Sequence, residues 1–291
     1  MAYQHTKSIL HDRGLAPHKR LGQNFLVHRH TAERIVELAD PRPDDTVVEV
    51  GVGLGALTNP IAARAKQVIG IEADAGIVKL HREENDLPVN VELVHGDILR
   101  VDLIELAARC GSRLKFIANL PYSISSPFLF RLLEHREQTA WAVVMLQKEV
   151  AQRLMATPGS KEYGIPSVLF AGCATIEPLL LVKPEEFHPR PKVDSLVIRI
   201  RFQPPPQPAA ITTLDWPLLN KIVHSCFAQR RKTLRNGLAA SGLVRDKKLL
   251  DEIIEQAGLT PSIRAEQLSF DQFAALARSL AALLKYNGDE A

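Results

Sequence analysis

The segment Asn119-Leu120-Pro121-Tyr122 places an amide side chain, a proline and an aromatic ring directly after the apolar run LKFIA. An amide can exchange hydrogen bonds with a ligand, and an aromatic ring can stack on a flat one. Asn and Pro are also common in turns, so an ordinary turn between two elements is the alternative. The segment predicts either such a turn or a site that holds a flat, hydrogen-bonding ring.

A second candidate is the glycine-rich segment VEVGVGLGALT, which places Gly51, Gly53 and Gly55 between a β-branched run and a helical pattern. Glycine lets the backbone turn tightly and lie against a ligand with no Cβ in the way. Ala56 stands where the dinucleotide fingerprint has its last glycine, although some dinucleotide sites tolerate alanine there. The spacing Glu49-x-Gly51-x-Gly53-x-Gly55 fits a loop for S-adenosylmethionine better than a loop for NAD.

Two carboxylates follow at the ends of the next predicted strands. Glu72 ends QVIGIE about 20 residues after Gly51, where an acid can accept hydrogen bonds from ribose hydroxyls. Asp97 closes VELVHGD and can accept from an adenine amino group, while a helix N-cap is the alternative for each acid. Ligands of open α/β sheets bind outside the carboxyl ends of the strands, so the loop and the acids predict one nucleoside site.

The elements that would position these residues alternate between strand and helix. β-branched runs such as DTVVEVG, QVIGIEAD and LKFIANLP alternate with helical patterns such as TAERIVELA, for which Thr31 is the expected N-cap. This order is typical of βαβ units and predicts a doubly wound, mostly parallel sheet. The alternating run KVDSLVIRIRF is expected to be its last strand.

The proline-rich segment QPPPQPAA, residues 203–210, ends this pattern, because four prolines in eight residues cannot continue a helix or a sheet. Only helical patterns follow it. We expect an α/β domain over residues 1–203, which begins with a basic arm, and a small all-helical domain over residues 204–291. The helical pattern beginning at PLLNKIV carries an Arg-rich stretch that favours phosphate contact over a merely solvated face; its members are Arg230, Arg231, Lys232 and Arg235.

The bulk composition is that of an ordinary globular protein with a mildly basic balance. The chain has 291 residues, 46% of them hydrophobic, and a net charge of +3. Its three cysteines are far apart and form neither a disulfide framework nor a zinc pattern. The N-terminus has no apolar segment typical of a secretory signal, and no apolar run is long enough to span a bilayer. These features predict a cytoplasmic protein.

Several motifs in order along nearly the whole chain resemble the rRNA adenine N6,N6-dimethyltransferases, and within that family the bacterial small-subunit enzymes. They are LGQNFL (21–26), VEVGVGLG (48–55), GIEAD (70–74), GDIL (96–99), NLPYSISSP (119–127), LQKEV (146–150), YGIPSVL (163–169), FHPRPKVDS (187–195) and FAQRRKTLRNGL (227–238). The resemblance implies a class I methyltransferase domain with a Rossmann-like sheet, S-adenosylmethionine as the cofactor, and no metal. It implies as substrate two adjacent adenosines in a hairpin near the 3′ end of 16S rRNA. Val52 is a departure, since many members have proline there.

The resemblance also implies roles for single residues. Asn119 Oδ1 and the Leu120 carbonyl would accept the N6–H bonds of the adenine, Pro121 would fix the backbone, and Tyr122 and Phe187 would cover the two faces of the ring. Core packing is the alternative for both aromatic rings. Arg190 and Lys192 would guide the RNA strand. The cofactor site would consist of Gln23, Asn24, Leu26, Gly51, Gly53, Glu72, Asp97 and Asn119.

Other functions fit parts of the sequence. A large-subunit rRNA adenine methyltransferase of the antibiotic-resistance type shares the N-terminal motifs, but FAQRRKTLRNGL and the proline-rich junction favour the small-subunit enzyme. The intact Glu72, Asp97 and Asn119 argue against a purely non-catalytic binding module. In place of Asn-Leu-Pro-Tyr, a DNA adenine methyltransferase would more often have Asp-Pro-Pro-Tyr or Asn-Pro-Pro-Tyr. We expect a monomer that acts on 16S rRNA in a 30S precursor, with no obligate protein partner and no membrane association.

Overall fold

The computed structural model describes residues 23–203, 214–229, 231–244 and 246–288. Its main sheet has seven strands in the order β4-β3-β2-β5-β6-β9-β7, and a separate two-stranded ribbon joins β1 to β8. The strands are β1 (Phe25–Leu26), β2 (Thr46–Val50), β3 (Gln67–Glu72), β4 (Val91–His95), β5 (Leu114–Asn119), β6 (Thr139–Gln147), β7 (Ala174–Val182), β8 (Phe187–His188) and β9 (Ser195–Phe202).

The inner strands are apolar along most of their length because the sheet is buried at its centre. In β2, Val47, Val48 and Val50 are at most 2% exposed, and Phe116 and Ile117 of β5 are fully buried. Near-continuous apolar runs of this kind are typical of parallel strands that are covered on both faces. The expected mostly parallel sheet is therefore confirmed, with parallel pairs from β4 through to β6 and antiparallel pairs of β9 with β6 and β7.

The strand order contains a switch point between β2 and β5. From β2 the chain builds outward through β3 to β4, then returns to the other side of β2 and continues through β5 to β6. The two connections leave β2 and β5 in opposite directions, so a crevice opens at their carboxyl ends. Gly51 and Asn119 stand at these two strand ends.

Strand β7 was not expected from the sequence. It contains Pro178, which cannot donate to a ladder, and the pairing with β9 shifts register between Pro178 and Leu180. A proline is tolerated there because β7 is an edge strand of the sheet.

The helices are α1 (Arg29–Ala39), α2 (Thr58–Ala62), α3 (Ala75–Glu84), α4 (Leu103–Cys110), α5 (Tyr122–Glu134), α6 (Lys148–Leu154), α7 (Ile165–Ala171), α8 (Trp216–Phe227), α9 (Leu234–Ala239), α10 (Lys247–Gln256) and α11 (Phe270–Gly288). Helix α4 ends at its C-cap, Gly111, which is left-handed with φ 64°. None of the helices in the described ranges is long and apolar enough to cross a bilayer.

The expected N-cap of the first helix is wrong. Helix α1 begins at Arg29 after His28, so Thr31 lies inside the helix. The Thr31 hydroxyl donates instead to the Glu186 carboxylate at 2.6 Å, next to the β1–β8 ribbon. This tertiary hydrogen bond gives the hydroxyl a partner that the local sequence does not reveal.

The chain forms two compact units, and their division differs from the expected boundary. The first unit holds residues 23–151 and 174–203, whereas the second holds 152–173 together with the described residues from 214 onward. Residues 152–173 belong to the second unit because α7 packs against α8 and α11. The Tyr163 hydroxyl donates to the Leu268 carbonyl at 2.8 Å, and the Phe270 ring leaves no room for a side chain at Gly172. Most of the proline-rich segment, residues 204–210, lies outside the described residues.

Candidate cofactor and substrate site

A cavity of about 370 Å³ lies at the carboxyl ends of β2, β3, β4 and β5 in the first unit. These are the strand ends from which the sequence predicted a nucleoside site. Among the residues that line the cavity are Gln23, Asn24, Leu26, Glu49, Gly51, Gly53, Glu72, Asp97, Asn119 and Pro121. The residues predicted to hold the cofactor are thus brought together, while Leu120, Tyr122 and Phe187 do not line the cavity.

The glycine-rich loop after β2 requires glycine for its backbone conformation. Gly51 has φ 77° and Gly53 has φ 55°, both in the left-handed region that other residues rarely adopt. The Gly51 nitrogen donates to the Ile71 carbonyl at 2.9 Å, so the loop turns back toward the neighbouring strand. A Cβ on Gly53 would lie 3.3 Å from the Phe25 ring. The loop is therefore compact and presents its backbone to the cavity.

Glu72 is held rigidly at the end of β3. Its two carboxylate oxygens accept hydrogen bonds from the backbone nitrogens of Asp74 at 2.8 Å and Gly53 at 2.9 Å. Burial raises the pKa of Glu72, and these backbone donors oppose the rise. A carboxylate offers about four acceptor sites, so capacity remains for a ligand hydroxyl.

Glu49 is a buried acid in the same cavity for which sequence analysis gave no role. It is 1% exposed, and neither carboxylate oxygen has a hydrogen-bond partner among the described residues. Burial, and to a smaller extent the charge of Glu72, raises the pKa of Glu49 to about 8. The buried Thr58 hydroxyl opposes this rise without meeting the geometry of a hydrogen bond. An unpartnered buried carboxyl that lines a cavity points to a ligand that would complete its hydrogen bonds.

Asp97 does not cap a helix, because the next helix, α4, begins at Leu103 after its cap Asp102. One carboxylate oxygen accepts from the Leu99 nitrogen at 2.9 Å, which is a local turn contact, and the other lies 3.7 Å from Arg100. The side chain is 44% exposed and also lines the cavity. Its turn contact does not remove it from the site.

Asn119 is anchored across the cavity wall. Its Nδ2 donates to the Asn24 carbonyl at 2.9 Å, which links the end of β5 to the segment before β1. With the nitrogen so engaged, the Oδ1 atom is the part of the amide left to accept from a substrate. Helix α5 begins at Tyr122, immediately after Pro121, so SISSP lies inside the helix. The segment that opened the sequence analysis is therefore a strand-to-helix junction at the rim of the cavity.

The two aromatic rings lie away from the cavity lining. The Tyr122 hydroxyl is 2.8 Å from Ser195 Oγ, and burial raises the pKa of Tyr122. Phe187 is 2% exposed and packs in the core with Leu26, its partner in the β1–β8 ribbon. The structure thus places Phe187 in the core arrangement that was the alternative to a stacking role, because the ribbon directs its ring inward.

The basic residues differ in how they are engaged. In the first unit Arg190 is exposed and lies 3.2 Å from Glu185, and Lys192 is exposed. In the second unit Arg231 and Lys232 are exposed, whereas Arg230 lies outside the described residues. Arg235 forms two hydrogen bonds with Asp251, at 2.7 and 2.6 Å, so it ties α9 to α10.

The Arg-rich stretch was expected on one continuous helix, and this is wrong. Helix α8 ends at Phe227 and α9 begins at Leu234, with the Thr233 side chain accepting from the Asn236 nitrogen as the cap of α9. Arg231 and Lys232 therefore lie in the turn between two helices. A threonine cap competes with helix continuation, which explains the break.

Comparisons with known proteins identify the family. The profile of the family described as Ribosomal RNA adenine dimethylase matches residues 14–282. The Ribosomal RNA small subunit methyltransferase A of Desulfotalea psychrophila is 49% identical over 283 residues, which cover 94% of this chain and 95% of that protein. A solved dimethyladenosine transferase from Plasmodium falciparum is 26% identical with a TM-score of 0.70, covering 91% of this chain and 98% of that one. The solved 23S rRNA methyltransferase ErmE is also 26% identical, with a TM-score of 0.64 and coverage of 89% and 100%.

Proposed function

This chain belongs to the ribosomal RNA adenine dimethylase family, and we propose that its substrate is the small-subunit rRNA. It is an S-adenosylmethionine-dependent methyltransferase. We propose further that it dimethylates N6 of two adjacent adenosines in a hairpin near the 3′ end of 16S rRNA. It would act as a monomer in the cytoplasm on a precursor of the 30S subunit.

The cavity residues fit S-adenosylmethionine. The cofactor carries a positive sulfonium and a positive ammonium group, and the cavity holds the carboxyl groups of Glu49, Glu72 and Asp97. Glu49 has no partner of its own among the described residues, so a cationic ligand would complete its hydrogen bonds. Gly51 and Gly53 hold the loop in a left-handed conformation that brings its backbone to the cavity. When bound, the cofactor supplies an electrophilic methyl group.

The residues at the end of β5 would prepare the acceptor nitrogen. The N6 lone pair of adenine is delocalised into the ring, which makes the amine a poor nucleophile. Two acceptors on its N–H bonds, Asn119 Oδ1 and the Leu120 carbonyl, would favour a tetrahedral nitrogen with its lone pair directed outward. Positioning of this kind can lower a barrier by several kcal/mol, with about 7–11 kcal/mol as the upper range. Tyr122 would hold the adenine by stacking, a contact of about 1–3 kcal/mol per base.

The anchoring of Asn119 to the Asn24 carbonyl is the observation that carries this proposal. It orients an acceptor amide at the rim of a cavity lined by three carboxyl groups, so the donor and acceptor halves of a methyl transfer would meet there. The large-subunit alternative has support in the likeness to the 23S rRNA methyltransferase ErmE. The greater identity to a small-subunit methyltransferase favours the small subunit.

The experiment that tests the proposal offers both ribosomal subunits to the protein. Purified 30S and 50S particles that lack the modification are incubated with S-adenosylmethionine labelled in its methyl group. We expect label in the 30S fraction alone. Label in the 50S fraction would support the large-subunit alternative instead, and no transfer to either particle would contradict the proposal.

A further inference from the structure

His81 is a buried histidine that contacts the glycine-rich loop after β2. Its ring lies in the last turn of α3 and its side chain is 2% exposed. Nε2 is 2.8 Å from the Gly53 carbonyl oxygen, and Nδ1 is 2.7 Å from Asp86 Oδ1. The ring does not line the cavity, so it can reach a ligand only through Gly53.

The turn at the C-terminal end of α3 places Asp86 beside this ring. Asn85 closes the helix in the left-handed conformation, with φ 48°, and its nitrogen donates to the His81 carbonyl at 2.9 Å. This reversal places the next residue, Asp86, beside the side chain of the last turn. The histidine and its carboxylate partner are therefore positioned by one helix terminus.

Both neighbours of the ring are acceptors, which fixes its chemistry. A neutral imidazole has a single N–H and can donate to only one of two acceptors, whereas an imidazolium donates from both nitrogens. The geometry is satisfied in full by an imidazolium that donates to the Gly53 carbonyl and to the Asp86 carboxylate.

Both backbone groups of Gly53 are consequently engaged, one in each of the two peptide units that flank its Cα. Its nitrogen donates to Glu72 at 2.9 Å, and its carbonyl accepts from His81. We propose that His81 is a positioning residue of the cofactor site, which as an imidazolium fixes the Gly53 carbonyl while Asp86 anchors the ring. Loss of the proton leaves the remaining N–H on the charged Asp86, and the Gly53 carbonyl then faces a lone pair.

The test measures the dissociation constant for S-adenosylhomocysteine by calorimetry between about pH 5 and pH 8, the range in which histidine can change charge. In the wild type we expect affinity to weaken several-fold as the pH rises. His81→Leu removes the donor, and we expect about tenfold weaker binding at pH 6. His81→Gln can still donate to the Gly53 carbonyl, so we expect it to restore most of the affinity with a flatter pH profile.

Asp86→Asn is the decisive variant. Its amide nitrogen can donate to Nδ1, which allows a neutral ring to keep its Nε2–H on the Gly53 carbonyl. We therefore expect an affinity close to that of the wild type, which no longer depends on the charge of the His81 ring. His30→Leu, at an exposed histidine of α1, is the matched control and should behave as the wild type.

Other titratable groups near the loop contribute to the wild-type profile and are common to all variants. The difference between the wild-type and His81→Gln binding curves isolates the effect of the ring from the effect of these groups. The groups are Glu49 and Glu72 at the strand ends and Asp74, Lys79, Arg82, Glu83 and Glu84 on or next to α3. Hydrogen exchange of the Gly53 amide in the cofactor-free protein gives a second readout, and we expect faster exchange in His81→Leu.

The inference rests on the proposed cofactor site, and the outcomes separate the two. A wild-type protein that binds no S-adenosylhomocysteine at any pH would overturn the site itself. Wild-type binding together with unchanged affinity and exchange in His81→Leu, or with an Asp86→Asn pH profile that coincides with the wild-type profile, would overturn the role of His81 alone. If His81→Leu does not fold, the two polar variants carry the same decision.

Discussion

Glu49 shows how much a single buried carboxyl can influence this protein. Its ordinary pKa of 4.5 is raised to about 8, so between these values the folded chain keeps a proton that the unfolded chain has lost. The stability of the cofactor-free protein therefore falls as the pH rises through this window. At pH 7 this effect lowers the free energy of unfolding by at most about 3 kcal/mol relative to its value below pH 4.5.

The first prediction concerns Glu49→Gln, which cannot titrate. Thermal unfolding of the cofactor-free proteins should show a smaller loss of Tm from pH 5 to pH 8 in the variant than in the wild type. The same variant should bind S-adenosylhomocysteine more weakly above about pH 8, where the wild-type carboxyl is ionised and the amide stays neutral. Parallel Tm curves for the two proteins would contradict the buried, unpartnered state of Glu49.

The second prediction concerns Asn119→Asp. Aspartate has no Nδ2 to donate to the Asn24 carbonyl, and its carboxylate would face that oxygen. The acceptor that should hold the adenine amine is then displaced, and a displacement of about 1 Å can cost about a hundredfold in rate. Single-turnover methyl transfer should slow by that order while Tm stays near the wild-type value. A rate within threefold of the wild type would show that the amide anchor is not needed.

The residues brought together at the cavity could be predicted because they stand at or just after strand ends. Gly51, Glu72 and Asp97 stand at successive strand ends, and parallel strands bring those ends to one edge. The unpartnered state of Glu49 could not be predicted, since it depends on what Thr58 and Glu72 do in three dimensions. The burial of Phe187 likewise follows from its pairing with Leu26, far away in sequence.

Among the elements, the turn between α8 and α9 differs most from what the sequence predicted. A continuous helical pattern through the Arg-rich stretch gave no sign that Thr233 would cap a new helix. Nor did it show that Arg235 would pair with Asp251, because that partner lies on α10. Arg235 therefore joins two helices, whereas Arg231 and Lys232 are exposed.

The third prediction uses this division. Arg231→Glu combined with Lys232→Glu reverses two exposed charges, so the affinity for 30S particles and its salt dependence should both decrease, with Tm unchanged. Arg235→Ala is the contrasting variant, since it breaks the pair with Asp251 and should lower Tm. Filter binding at two salt concentrations provides the measurement. Unaltered affinity of the double variant would remove this turn from the RNA interface.

At the scale of the whole molecule, the alternating strands and helices were sufficient to predict the α/β sheet, but not the division into units. The sequence places residues 152–173 between two strands of the sheet, yet they pack with the C-terminal helices. The packing of α7 on distant helices is a tertiary property that the order of elements does not reveal. The proposal of a domain that binds RNA after residue 203 consequently extends to this earlier segment.

The most direct test of the central claim identifies the product nucleotides. 30S particles that lack the modification are incubated with the protein and S-adenosylmethionine, and the methylated positions are mapped by mass spectrometry of 16S rRNA fragments. The account predicts N6,N6-dimethyladenosine at two adjacent positions near the 3′ end, and about a hundredfold slower formation of it when Asn119→Asp replaces the wild type. Methylation elsewhere, or at an atom other than N6, would contradict it.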